Sequence, residues 1–133
     1  MKKIEIFIMI IVFVILIGSD KGIAQDTMTK IYWMASTDVP IGKLGEFHVF
    51  MEKELLPAQE KYGYRQVAVW QTIVGDIGVC IYIAEFENME AYNKARVDFL
   101  TSPEWKTLGK KFDEYSNSIT TSFLRGLPYS NLK

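Results

Sequence analysis

The segment YRQVAVWQTIVGDIGVCIYIAEF, residues 64–86, decides how this chain folds. Two runs rich in β-branched and aromatic residues, Tyr64 to Val74 and Val79 to Phe86, flank Val74-Gly75-Asp76-Ile77-Gly78. The glycines there suit a tight connection, so the two runs are predicted to pair as an antiparallel hairpin. Neither run alternates apolar with polar. Val67, Val69 and Ile73 interleave with Ala68 and Trp70, while Val79, Ile81 and Ile83 interleave with Cys80, Tyr82, Ala84 and Phe86. A strand wetted on one face carries polar residues at every second position, so both faces of this hairpin need a cover. Helices can supply one, and a second copy of the chain in a two-fold dimer is the simplest source of the other. The aliphatic set is assigned to the helices and the aromatic-rich set to the partner.

Upstream, Thr29 to Thr37 reads as a strand that Val39-Pro40-Ile41-Gly42 breaks. Leu44, Phe47, Met51, Leu55 and Ala58 then recur at spacings of three and four, the stripe of an amphipathic helix. Pro57 removes a backbone donor inside that pattern and is expected to kink or restart the helix, and Gly63 suits a left-handed C-cap. Downstream, Asn88 is a candidate N-cap for a helix carrying Met89, Tyr92, Ala95, Arg96 and Phe99. Ser102-Pro103-Glu104 starts another with Trp105, Leu108 and Phe112, and Ile119 to Leu124 is a last strand. The order strand, helix, strand, strand, helices, strand gives an α+β domain: a split βαβ unit with a four-stranded antiparallel sheet and its helices on one face.

The N-terminus belongs to a different physical class. Lys2 and Lys3 precede the unbroken apolar stretch Ile6 to Ile17, and small residues close the segment at Gly22-Ile23-Ala24, the order of an export signal. The stretch falls short of the roughly 20 apolar residues that span a bilayer, so stable membrane insertion is not expected once residues 1–24 are removed. The mature domain is then 25–133, in the periplasm or secreted. Cleavage takes away three basic and two acidic residues and leaves 12 basic against 14 acidic. Such a balance offers no stripe for nucleic-acid phosphates or anionic lipid. Cys80 is the single cysteine, which rules out an intramolecular disulfide framework; a small buried hydrophobe or a reactive thiol are its two possible roles.

Several blocks resemble a known family in order and spacing: Leu55-Leu56-Pro57-Ala58, Lys61-Tyr62-Gly63-Tyr64, Val69-Trp70-Gln71-Thr72, Val74-Gly75-Asp76, Phe86-Glu87-Asn88-Met89-Glu90-Ala91-Tyr92 and Ser102-Pro103-Glu104-Trp105. They look like the signature blocks of NIPSNAP-type proteins, of the dimeric α/β-barrel superfamily. The resemblance implies a ferredoxin-like βαββαβ protomer whose sheet pairs with that of its twin to enclose a lumen. It implies no single reaction, since the superfamily holds cofactor-independent monooxygenases, isomerases, cyclases, haem-binding enzymes and proteins without known chemistry.

His48, the only histidine, sits at the edge of the first helical stripe and could serve as an acid/base, an axial haem ligand, or simply a hydrogen-bonding surface residue. With no cysteine or carboxylate set at ligand spacing, neither a metal nor another cofactor is called for. Trp70, Tyr82 and Phe86, with Tyr64 and with Tyr32 or Trp33, are candidates to line a pocket for a flat apolar molecule, or else to pack a dimer core. Tyr82 is also a candidate catalytic group that positions a substrate for His48. Glu85 could act as a base or pair with Arg65 or Arg96. Arg96 and Arg125 could hold a ligand carboxylate through two parallel hydrogen bonds or serve in surface ion pairs. No Gly-x-Ser-x-Gly nucleophile context and no phosphate-cradling loop occurs. Three functions therefore compete: an exported homodimer binding a small apolar or aromatic molecule between its sheets, a cofactor-independent monooxygenase or isomerase using His48, and a non-catalytic structural or interaction module.

Overall fold

The structure, a computed structural model, describes residues 30–132. The expected signal segment 1–24 and the start of the mature chain lie outside the described residues. Four strands, β1 (Ile31–Asp38), β2 (Arg65–Gln71), β3 (Val79–Phe86) and β4 (Ser118–Arg125), form one sheet in the order β2-β3-β1-β4. Every neighbouring pair runs antiparallel. Helices connect β1 to β2 and β3 to β4 and pack on one face, which is the ferredoxin-like α+β arrangement.

Local chemistry explains each element. A 3-10 turn, Ile41–Lys43, leads into α1 (Leu44–Phe50), a π turn (Met51–Leu55) and α2 (Leu56–Lys61). Pro57 was expected to kink or restart this helix, and α2 starts afresh with Pro57 in its first turn; the wide turn just upstream accommodates the missing N–H, the Leu56 N–H donating five residues back to Met51 O. Gly63 follows α2 at φ +97°, the left-handed conformation predicted for the C-cap. Asn88 Oδ1 accepts the Ala91 N–H at 2.9 Å and starts α3 (Met89–Leu100). Ser102 Oγ accepts the Trp105 N–H at 3.1 Å and starts α4 (Pro103–Tyr115). In the β2–β3 connection, a Cβ at Gly78 would stand 2.5 Å from Val39 O, so only glycine allows the hairpin to close against the end of β1. There the Val39 N–H donates to Gly78 O at 3.0 Å.

The assignment of sheet faces corrects the expectation from sequence. Cys80, Tyr82, Ala84 and Phe86 face the helices, with the Tyr82 ring 6.4 Å from that of Phe47 and the Phe86 ring 5.3 Å from that of Tyr92. Ile81 and Ile83 face away. The large rings fill the thickness between sheet and helices, a space that the shorter aliphatic chains of β3 would leave empty. The two sets also fail to stay together across the hairpin. Gln66 pairs with Ala84 but Ala68 with Ile83, so Val67 is an extra residue, a β-bulge. Beyond it Val69 lies opposite Tyr82, and Trp70 opposite Ile81 on the outer face.

Cys80 is buried and free. Burial pushes its thiol pKa upward, which suits a small hydrophobe more than a nucleophile. Glu85, only 8% exposed, is paired with Arg65 at 2.6 Å and Lys30 at 3.1 Å, so the pairing alternative for this residue is the one realised.

Candidate functional site

A cavity of about 540 Å³ lies between the helices and the inner face of the sheet. Its floor is the inner face of β1 and β4, with Trp33, Ala35 and Thr37 on one strand and Ile119, Thr121 and Phe123 on the other. The π turn contributes Met51 and Leu55 to one wall, so the irregularity imposed by Pro57 falls at the cavity itself. The stripe Met89, Tyr92, Asn93, Arg96, Phe99 and Leu100 of α3 forms another wall. Its period of three and four follows from the amphipathic pattern read in the sequence.

Aromatic rings interlock around this space. Trp33 meets Tyr64 edge-on at 5.7 Å, Tyr92 meets Phe123 edge-on at 4.7 Å, and Phe99 meets Trp105 at 5.1 Å. Among the described residues, the Thr37 hydroxyl is buried beside this space without a hydrogen-bond partner, and the Tyr82 hydroxyl is buried with only the neighbouring Cys80 thiol to bond. Tyr82 lies opposite Ala35 and Thr37 lies opposite Cys80, so the two side chains are diagonal neighbours on the inner face. Buried polar groups are nearly always satisfied, so these two hydroxyls are weakly paired polar atoms behind the cavity wall.

Burial also sets the protonation of the phenols. It pushes Tyr82 far above the ordinary tyrosine range, with the neighbouring Cys80 adding to the effect. Tyr64 is pushed up to about 12, first by burial and then by Tyr92, against the lowering influence of Arg96. Tyr92 is raised by burial and likewise eased by Arg96. All three stay neutral hydrogen-bond donors at physiological pH. Arg96 is exposed at the rim, and among the described residues it takes part in no ion pair.

The structure brings Trp33, Tyr64 and Tyr82 together in the cavity and separates the other candidates from it. Phe86 is buried behind the wall, edge-on to Tyr64 at 5.2 Å. Trp70 is 55% exposed on the opposite face of the sheet. His48 is exposed outside the cavity, its Nε2 2.9 Å from Gln71 Oε1. The Gln71 amide nitrogen is committed to Ile77 O at 2.9 Å, which turns its oxygen toward His48 and calls for the Nε2–H tautomer. Among the described residues no cluster of His, Cys, Asp or Glu could hold a metal ion. Thr37, Phe123 and Trp105 line the site without having been singled out from sequence. Thr37 ends an ordinary strand, and no local pattern distinguishes its hydroxyl from a solvated one.

Comparison with known proteins agrees with this architecture. The family model described as NIPSNAP matches residues 32–131. No curated protein matches the chain significantly by sequence. Among solved structures, a NIPSNAP family protein of unknown function from Agrobacterium tumefaciens superposes with a TM-score of 0.75 at 15% identity, covering 80% of this chain and 96% of its own. An uncharacterized NIPSNAP-like domain protein from Burkholderia xenovorans gives 0.73 at 19% identity, covering 80% and 93%. A putative antibiotic biosynthesis monooxygenase from Caulobacter crescentus gives 0.58 at 13% identity, covering 75% and 92%. At such identities the likenesses establish the fold, whereas the family model reaches all four strands and every helix described above. The chain belongs to the NIPSNAP family.

Proposed function

We propose that the protein is exported and binds a small, flat, apolar or aromatic molecule in the cavity between helices and sheet, as a homodimer joined through the outer sheet face. One observation carries the binding proposal: an aromatic-walled cavity of about 540 Å³ lined also by Arg96, which joins no ion pair among the described residues. A pocket of this size and lining matches what small-molecule sites need, an apolar surround with a few placed polar groups. The sequence reading set the ligand in a lumen between two sheets; the geometry favours the space within each protomer. Supporting the dimer is an outer face that carries Met34, Ile81 and Ile83 together with the exposed Trp70. Export rests on the N-terminal pattern of residues 1–24.

The fold likeness to a putative antibiotic biosynthesis monooxygenase keeps cofactor-independent oxygenation as a second reading. It does not favour His48 as the acid/base, because that ring lies outside the cavity and is bonded to Gln71. Native mass spectrometry of protein recovered from the exported fraction tests the proposal as a whole. The expected spectrum shows a dimer of chains beginning at Gln25 with a small molecule retained. Chains that keep Met1, a monomer, or failure of every aromatic probe to bind the purified protein would each remove the corresponding part.

A further inference from the structure

Resting on the cavity as the binding site, the chemistry of its polar groups specifies the ligand further: we propose that the site selects an aromatic carboxylic acid, its carboxylate held by Arg96 at the rim and its ring system among the aromatic walls. The polar groups lining the cavity are one fixed cation, one carboxylate, Asp113, and neutral hydroxyls and amides that can donate or accept. Tyr64, Tyr82 and Tyr92 are phenols held in their protonated form, Thr37 carries a hydroxyl, and Arg96 carries a fixed positive charge. A hydrocarbon would leave the Arg96 guanidinium without a partner at the entrance, and a cation would be repelled by it.

Arg96 is placed for this role by α3. It stands four residues after Tyr92, three after Asn93 and three before Phe99, on the stripe that lines the cavity. Its charge is felt by the Tyr64 and Tyr92 phenols, so the guanidinium and two further donors converge on one region. No acidic side chain among the described residues takes up that guanidinium, which leaves its planar fork available to two carboxylate oxygens. Asp113 of α4 also lies on the rim and is the one group there that would favour an amine.

Three probes that share one ring system separate these possibilities on the mature dimer: 2-naphthoic acid, 2-naphthalenemethanol and 2-naphthylmethylamine, titrated at pH 7.5 and low salt with Trp33 and Trp105 fluorescence as the signal. The acid is expected to bind at least tenfold more tightly than the alcohol, and the alcohol more tightly than the amine. Arg96→Gln, an exposed substitution checked for an unchanged melting temperature, is expected to erase the acid's advantage, and Arg96→Lys to restore part of it. An acid that binds no better than the alcohol, or an advantage that survives Arg96→Gln, overturns the carboxylate assignment while leaving the cavity as a binding site. Preference for the amine overturns it in favour of Asp113. Failure of all three probes at millimolar concentration removes the binding site itself and this assignment with it.

Discussion

Replacing the two weakly paired hydroxyls is expected to make the unliganded protein more stable, the reverse of what most buried substitutions do. Thr37 is fully buried and Tyr82 nearly so; among the described residues the Thr37 hydroxyl has no hydrogen-bond partner and the Tyr82 hydroxyl has only the Cys80 thiol, a weak one. In the unfolded chain both are hydrated, so folding strips each of water with no bond of equal strength in return. Leaving a buried donor or acceptor unsatisfied costs about 1–3 kcal/mol. Thr37→Val preserves the branched shape, and Tyr82→Phe removes one atom at the edge of an existing space, so neither creates strain or a large new void. A gain of about 1 kcal/mol for each is the expected result, about 2 kcal/mol for the pair if they act independently. For a domain of this size, about 1 kcal/mol corresponds to a rise of roughly 4–8 °C in Tm. Urea unfolding followed by tryptophan fluorescence would read the change in midpoint, with an unaltered slope showing that the native and unfolded states have kept their compactness. The same variants should bind aromatic acids more weakly, which is the trade of stability for function expected at a ligand site. A loss of 1 kcal/mol or more in either single variant would refute the reasoning, because it would mean that the hydroxyl is already well bonded in the folded protein.

Three further outcomes follow from other parts of the structure. Gly78→Ala should destabilise the domain by about 2 kcal/mol, since its Cβ would press to 2.5 Å on Val39 O, a backbone atom that cannot yield without moving β1; urea unfolding unchanged from wild type would contradict this. Stability should fall as pH rises from about 10 to 12, because Tyr64 keeps its proton in the folded state up to about 12 while the unfolded chain releases it near 10. Ultraviolet titration of tyrosinate alongside thermal melts would check the sign, and a flat stability profile across that window would count against a buried phenol. Trp70→Glu places a charge on the outer sheet face and should convert the proposed dimer to monomer in light scattering at micromolar concentration, whereas a dimer in both proteins would show that the copies meet elsewhere and a monomer in both would remove the dimer proposal.

Much of the fold is written in short-range chemistry. The caps at Asn88 and Ser102, the left-handed Gly63 and the turn between β2 and β3 each depend on residues within a few positions, and each occurs where the sequence places it. Pro57 was legible as a kink or a restart, and the restart is what occurs; the π turn before it was not legible, since it goes with the packing of Met51 and Leu55 against the core. The site was legible only in part. Trp33, Tyr64 and Tyr82 reach the cavity as candidates for it, while Trp70 and His48 carry the same kinds of side chain and stand outside.

The segment 64–86 shows where this division falls. Its sequence alone establishes a hairpin with two apolar faces, because a period of two sorts residues into two sets whatever the rest of the chain does. Which set meets the helices is a property of the assembled molecule. It depends on ring volumes filling the gap beneath α1, α3 and α4, and on the bulge at Val67, which transfers Trp70 to the face of Ile81. The cavity is likewise decided in three dimensions. It is volume left unfilled by residues from β1 to β4, far apart in the chain, and no pattern along one segment records the space that several segments fail to fill.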